Sequence, residues 1–255
     1  MELAGRVALV TGGATGIGRA TVLHLARSGT AGVIINYRTA KEQAEQIAAE
    51  ARQIGVEALC VHADLKSDKQ VRQMVRQAGE RFGRLDVLVN NAGVTHWVPV
   101  TDLEALTDAM WDEIMDVNVK AAFRCTRAAV PLLSEAQGVV INVSSISGIL
   151  ATATSSSLAY GAAKAALIYL TRGLAVALAP KIRVNAVAPA FTDTQWMRNH
   201  YGADYDQVIA RAASNYPLRR IAKTEDVAEA IVGLVTGGDF VTGQTLIVDG
   251  GLSLS

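Results

Sequence analysis

Val7-Ala8-Leu9-Val10-Thr11-Gly12-Gly13-Ala14-Thr15-Gly16-Ile17-Gly18 joins a short apolar run to a glycine-rich turn and the opening of a helical pattern. Glycines let the backbone turn tightly and approach a phosphate, and a helix N-terminus offers free N–H groups and the positive end of its dipole. The glycines are spaced Gly-x-x-x-Gly-x-Gly, which differs from the Gly-x-Gly-x-x-Gly dinucleotide fingerprint. Alone, such a turn can be only a turn. With a strand before it and a helix after it, Gly12, Thr15, Gly16, Ile17 and Gly18 become candidate contacts for the phosphates of a dinucleotide.

Outward from this stretch, β-branched apolar runs alternate with helical patterns almost to the end of the chain. Strands are expected at Val7–Val10, Gly32–Asn36, Glu57–His62, Val87–Asn90, Val139–Val143, Arg183–Ala188 and Thr245–Val248. Helices are expected at Gly18–Ser28, Lys41–Ile54, Asp68–Phe82, Met110–Leu133, Leu158–Ala179 and Glu225–Val235. Continuous apolar strands are buried on both faces, as in a parallel sheet covered by helices. The expected fold is therefore α/β, a single Rossmann-type, doubly wound, all-parallel sheet of about seven strands. No linker or composition break divides residues 1–255, so one dinucleotide-binding and catalytic domain is expected. Residues 192–216 fit no sheet unit and follow a strand's carboxyl end, where such sheets bind ligands, so they read as a substrate lid.

Composition excludes other classes. Twenty-four Lys and Arg balance twenty-four Asp and Glu, and no basic stripe suggests nucleic acid. Cys60 and Cys125 lie in apolar runs and read as reduced, partly buried thiols. The four histidines are scattered, so no metal is expected. The N-terminus lacks a signal peptide's apolar stretch, and no uncharged apolar run approaches the ~18 residues of a membrane span. A soluble, cytoplasmic protein with no membrane partner is expected.

The second strand ends Asn36-Tyr37-Arg38-Thr39. A carboxylate at this point would bind the ribose 2′-hydroxyl of NAD, and none is present. Arg38 can fork onto a 2′-phosphate and Thr39 can add a hydroxyl, which favours NADP(H).

Tyr160-Gly161-Ala162-Ala163-Lys164 opens a long helix and puts a phenol and an ammonium on one face. A cation beside a phenol favours phenolate, as a proton donor to a ketone or a base towards an alcohol requires. Tyr-x-x-x-Lys is common and by itself means little. Here a buried strand ends just upstream in Ser144-Ser145-Ile146-Ser147-Gly148, and a hydroxyl there can polarise the substrate oxygen.

With Asn90-Asn91-Ala92-Gly93, Asn118 and Val248-Asp249-Gly250-Gly251 added to these motifs, the chain resembles the short-chain dehydrogenase/reductase family over essentially its full length. Within it, the likeness is nearest to the bacterial beta-ketoacyl carrier-protein reductase and carbonyl reductase branch. The resemblance implies reversible ketone/alcohol interconversion by hydride transfer with NADP(H). It makes Tyr160 the general acid/base, Lys164 its partner and a holder of the nicotinamide ribose, Ser145 the residue that orients the carbonyl, and Asn118 the holder of a relay water. Ser145 is taken over Ser144 because the family's serine stands three residues before a glycine, here Gly148. The same resemblance implies cofactor contacts at Asp64, Leu65, Asn91, Ala92, Gly93, Pro189, Thr192 and Thr194, and a homotetramer built on the long helices.

Three departures accompany it. Pro189-Ala190 replaces the family's Pro-Gly, the segment between Ser145 and Tyr160 carries the extra small residues 152–157, and Thr15 stands where many NADP-preferring relatives have a basic residue. An NAD-dependent alcohol or sugar dehydrogenase of the same family, or a non-catalytic NADP-binding regulator, is the alternative. Substrate contacts are expected from Ser145, His96, Trp97 and Trp196, without identifying the small carbonyl or alcohol.

Overall fold

The computed structural model describes residues 1–151 and 156–254. In chain order its strands are β1 (Val7–Val10), β2 (Gly32–Tyr37), β3 (Glu57–His62), β4 (Val87–Asn90), β5 (Val139–Val143), β6 (Arg183–Pro189), β7 (Thr192–Asp193), β8 (Ala222–Lys223) and β9 (Thr245–Val248). Seven of them form one parallel sheet in the order β3-β2-β1-β4-β5-β6-β9. The chain winds outward from β1 to β3 and then returns to place β4 on the other side of β1. That reversal opens a crevice at the carboxyl ends of β1 and β4, where ligands bind in open α/β sheets.

The sheet is covered on both faces. Ala8 and Val10 of β1 point towards α1 (Gly16–Arg27), α2 (Lys41–Gln53) and α9 (Thr224–Thr236), which bury Val22, Ala44 and Val227 against them. Val7 and Leu9 point the other way, towards α3 (Asp68–Phe82), α5 (Ala121–Ala136) and α6 (Leu158–Leu178). Alternation along a strand makes this division, and burial on both faces explains the unbroken apolar runs.

The expected strands are all present, two of them one residue longer at the carboxyl end. The expected helix Met110–Leu133 is two helices, α4 (Asp108–Met115) and α5, joined by a π turn at Asp116–Lys120. An apolar period averages over a single wide turn, so the interruption leaves no trace in the pattern. Residues 192–216 form more structure than their sequence suggested. β7 pairs in parallel with β8, and α7 (Gln195–Tyr201) and α8 (Tyr205–Asn215) follow. Both helices are too short to announce themselves without tertiary support.

Helix α6, with 21 residues, is long and apolar enough to cross a membrane by length and composition, although Lys164 and Arg172 interrupt it, so no uncharged run in it reaches that length. One side of it, including Ala163, Leu167 and Ala175, is buried in the protein, while Tyr169 and Val176 are 77% and 83% exposed. Cys60 and Cys125 are both free thiols, and burial pushes each up, to about 11 and about 12.

Asp86, fully buried, ties the start of β1 to the start of β4. It accepts from Arg6 Nη1 at 2.8 Å, from Arg84 Nε and Nη2 at 2.8 and 2.7 Å, and from the Val7 amide at 2.9 Å. Burial alone would raise its pKa, but the Arg84, Arg6 and Val7 hydrogen bonds together hold it below the ordinary 3.8. A depressed carboxylate contributes stability above its unfolded value, and that contribution is lost as pH falls through the folded value. Asp86→Asn should cost about 2 kcal/mol at neutral pH, the scale of hydrogen bonds to charged groups. Its acid unfolding limb should also be shallower than the wild type's, and urea titrations of both proteins across pH 2–7 check this.

Candidate active site

The glycine turn is held from three directions. Its φ is positive at Gly12 (+59°) and Gly16 (+53°), which only glycine adopts freely. Asn36 at the end of β2 accepts from the Gly12 amide through Oδ1 at 3.2 Å and donates through Nδ2 to the Ala63 carbonyl at 3.2 Å. Asn91 Nδ2 donates to the Thr11 and Gly12 carbonyls at 2.9 and 3.1 Å, while Thr11 Oγ1 accepts from the Asn91 and Ala92 amides. Helix α1 then leaves the turn so closely that a Cβ on Gly18 would lie 2.2 Å from the Gly12 carbonyl oxygen.

Ser67, Thr107, Ser157 and Thr194 cap their helices with side-chain oxygens, whereas Thr15 at the head of α1 accepts no such bond. The first-turn N–H groups of α1 are thus left for an anion. Thr194 lies against this turn, its Cγ2 at 3.6 Å from the place of a Gly16 Cβ. Beside them is a cavity of about 350 Å³ lined by Gly16, Arg19, Thr194 and Lys223 among others. These donors fit a dinucleotide's phosphates.

The other expected cofactor positions lie along the same edge of the sheet. Arg38 and Thr39 are exposed just beyond β2, and Arg38 forms no ion pair with a described residue. Asp64 follows β3, where its Oδ1 accepts from the Lys66 amide at 2.9 Å, and Leu65 is buried beside it. Pro189 ends β6, and Thr192 Oγ1 donates to the Ala190 carbonyl at 2.9 Å. Ala190 is packed with Tyr216 and Ile221, and its φ is not positive, so the backbone there does not demand glycine.

On the β5 side, Ser145 lies two residues past the strand, where its hydroxyl accepts from the Ser147 amide at 3.2 Å and acts on the Tyr160 phenol to favour its ionised form. Ser157 Oγ caps α6 by accepting from the Tyr160 amide at 3.2 Å. Lys164, one turn on, is buried; its Nζ donates to the Val143 carbonyl at 2.9 Å and lies 5.4 Å from the centre of the Tyr160 ring. The neighbouring Ser144 is turned away, its Oγ donating to the Lys164 carbonyl at 2.8 Å. A Cβ on Gly148 would lie 2.6 Å from the Lys164 backbone, so glycine lets the serine loop rest directly on α6.

Asn118 occupies the π turn. Its Nδ2 donates to the Val94 and Ile114 carbonyls, both at 2.8 Å, and its buried Oδ1 has no hydrogen-bond partner among the described residues. That oxygen and Lys164 Nζ flank one point, at 2.8 and 3.6 Å from the place of a Gly93 Cβ. A buried acceptor facing an ammonium with spare protons suits a bridging water.

Electrostatics here differ from the sequence expectation. Burial pushes the Tyr160 phenol up to about 12, and the Ser145 hydrogen bond only partly opposes it. Burial also pushes Lys164 down to about 8. The lysine's bond to Val143 holds its ammonium 5.4 Å from the centre of the ring, and desolvation is the larger influence on the phenol.

Of the expected substrate residues, Trp196 alone is in ring contact with Tyr160 among the described residues. Trp196 meets the Tyr160 ring edge to face at 6.2 Å, and Trp97 lies 5.7 Å from Trp196. His96 Nε2 pairs with Glu113 Oε2 at 3.0 Å. Of the extra segment, residues 152–155 lie outside the described residues, and the Ser156 hydroxyl bonds that of Thr95 at 2.7 Å. Sequence reading did not single out Asn36, Ser157, Glu113 or His200. Only Ser157, three residues before Tyr160, carried a local signal, that of an N-cap.

A family model described as Enoyl-(Acyl carrier protein) reductase matches residues 12–253. The chain is 42% identical over 250 residues to a ketoacyl reductase assigned to the granaticin polyketide synthase of Streptomyces violaceoruber, covering 97% of this chain and 96% of the relative. It is 36% identical over 248 residues to a 3-oxoacyl-[acyl-carrier-protein] reductase of Staphylococcus aureus, covering 96% and 97%. Its fold superposes with a TM-score of 0.91 on a Burkholderia xenovorans crystal structure assigned to the short-chain dehydrogenases/reductases, at 34% identity and covering 98% and 99% of the two chains. The chain belongs to the short-chain dehydrogenase/reductase family. It is an oxidoreductase acting on carbonyl or alcohol groups.

Gly93 is the narrowest point between Asn118 and Lys164. Gly93→Ala would put a methyl 2.8 Å from Asn118 Oδ1. We expect a loss of up to about a hundredfold in kcat, as for a displacement of about 1 Å in a site, with secondary structure retained. Steady-state kinetics beside circular dichroism check this.

Proposed function

We propose that the protein is an NADP(H)-dependent ketoreductase that interconverts a small ketone and its alcohol, with Asn118, Ser145, Tyr160 and Lys164 as its catalytic set. The observation that carries this reading is the buried Lys164 ammonium, fixed on the Val143 carbonyl 5.4 Å from the centre of the Tyr160 ring, beside the unpartnered Asn118 oxygen. When bound, the cofactor supplies hydride to the carbonyl carbon or accepts it from the alcohol. The phosphates are assigned to Gly12, Thr15, Gly16, Ile17 and Gly18, and the 2′-phosphate to Arg38 and Thr39. Asp64 and Leu65 are assigned to the adenine. Asn91, Ala92, Gly93, Pro189, Thr192 and Thr194 are assigned to the nicotinamide half, whose ribose Tyr160 and Lys164 would hold.

In reduction, Ser145 orients the carbonyl oxygen and Tyr160 delivers its proton there. A phenol held at about 12 does not lose that proton to solvent before a substrate oxygen is ready to take it. The phenolate that results is stabilised by the Lys164 ammonium, and Lys164 exchanges its proton with solvent through a water at Asn118 Oδ1. Residues 192–216 act as the substrate lid of a single domain, with His96, Trp97 and Trp196 in the substrate's path. Exposed Phe123, Tyr169 and Val176 on α5 and α6 suit burial between copies of the chain, which supports a homotetramer. The two free thiols suit the cytoplasm.

Tyr160→Phe removes the transferable proton and keeps the ring. It should reduce turnover about a hundred- to ten-thousandfold while NADPH binding, read by fluorescence, stays near wild type. A variant within tenfold of wild type would remove Tyr160 from its role. For the cofactor, wild type should favour NADPH over NADH by about tenfold to a few hundredfold in kcat/KM, from charge-assisted bonds weakened by exposure. Combining Tyr37→Asp with Arg38→Ala should invert that ratio, and an unchanged ratio would make Arg38 a solvated surface charge.

A further inference from the structure

Five aromatic groups other than Tyr160 converge at the mouth of the site. Trp97 stacks face to face on His200, with centres 3.6 Å apart and planes 8° apart. Tyr201 meets both of them edge-on, at 6.2 and 4.6 Å, and Phe191 lies 5.9 Å from Tyr201. Trp196 bridges this cluster to Tyr160 and is itself 43% exposed. The cluster joins three parts of the chain, the loop after β4, the link from β6 to β7 and the lid helix α7.

The charged groups beside it are already paired. Arg198 of α7 forks onto Asp193 at 3.0 and 2.8 Å, and Tyr205 donates to the same carboxylate. Glu113 takes His96 at 3.0 Å and Lys66 at 3.6 Å. Desolvation holds the His200 imidazole below its ordinary value, which keeps the stack uncharged at neutral pH. The cluster therefore offers flat apolar faces, and an anionic tail on a substrate would have to leave towards solvent.

From this we infer that the aromatic corner of Trp97, Trp196 and His200 selects ketones whose carbonyl belongs to an apolar ring, with Trp196 as the main specificity-determining residue. A carbonyl within reach of the Tyr160 hydroxyl has its substituents against Trp196, because those two rings are already in contact. A compact ring keeps its shape against such a surface, whereas a linear chain must give up rotamer freedom to lie along it.

The inference rests on the ketoreductase reading, and one experiment separates the two. Cyclohexanone and 2-hexanone, both six-carbon ketones, are assayed with NADPH and with NADH. Wild type should favour cyclohexanone by at least about tenfold in kcat/KM, a discrimination within the range of apolar pockets. Trp196→Ala should bring the ratio close to unity, and Trp196→Phe should restore most of it. Calorimetric binding of cyclohexanol should weaken in Trp196→Ala and recover in Trp196→Phe. A wild-type ratio near unity, or a ratio that Trp196→Ala leaves unchanged, overturns ring selection and leaves ketone reduction standing. Turnover of neither ketone with either cofactor overturns both.

Discussion

The crevice between β1 and β4 exists because two parallel strands that are sequence-distant must end side by side while one of them turns sharply into a helix. Nothing in a β ladder holds such a turn, since its own amides and carbonyls lie past the last strand pair. In this protein one backbone bond, from the Gly13 amide to the Asn36 carbonyl at 3.0 Å, shares the holding with side chains. Asn36 fastens the Gly12 amide to β2, and Asn91 fastens the Thr11 and Gly12 carbonyls to β4. Buried backbone groups left unmade cost about 1–3 kcal/mol each, so these bonds decide whether the turn is a defined shape. With the turn fixed, α1 can approach to the limit set by Gly18, and the N–H groups at its head face one place.

A similar economy applies on the β5 side, where the protein buries a lysine for a purpose other than packing. Lys164 donates to Val143 and lies beside an unpartnered amide oxygen, with no carboxylate against it among the described residues. A carboxylate there would hold the ammonium charged at all working pH and would cancel its effect on the phenol. With no carboxylate to oppose it, burial brings the lysine's pKa down to about 8. The phenol and the ammonium are thus both strained by burial in the directions that a charge appearing between them would relieve.

How much of this was legible in the sequence depends on how local the signal was. The strands were legible because burial on both faces leaves runs such as Val87–Val89 without polar interruption. Tyr160 and Lys164 were legible through one helical turn, and the glycine turn through its place between a strand and a helix. Asn36 was not, because a polar residue at a strand end reads as the start of a loop, and only the fold shows the two neighbours it joins. The π turn was not, since Met110–Leu133 keeps its apolar period on either side of one added residue. The pKa directions of Tyr160 and Lys164 required burial, which spacing does not report. The pairing of Trp97 with His200 joins residues about a hundred positions apart, and neither carries a mark of the other.

The two sides of the site are built by different means. On the cofactor side, short hydrogen bonds between side chains and backbone tie each position to the sheet, and the strands that carry them are buried. On the substrate side, α7 is joined to the body by the two-residue β7–β8 pairing, by Thr194 against Gly16, and by ring contacts such as His200 on Trp97. Ring contacts tolerate sliding where hydrogen bonds do not, and elements with few buried contacts open at low cost. On the proposed reading, the chain keeps hydride and proton geometry on rigid ground and leaves shape selection to a segment whose sequence can change without disturbing it. That division also accounts for why the motifs of Thr11–Gly18 and Tyr160–Lys164 identify the chemistry, while the substrate has to be read from Trp97, Trp196 and their packing.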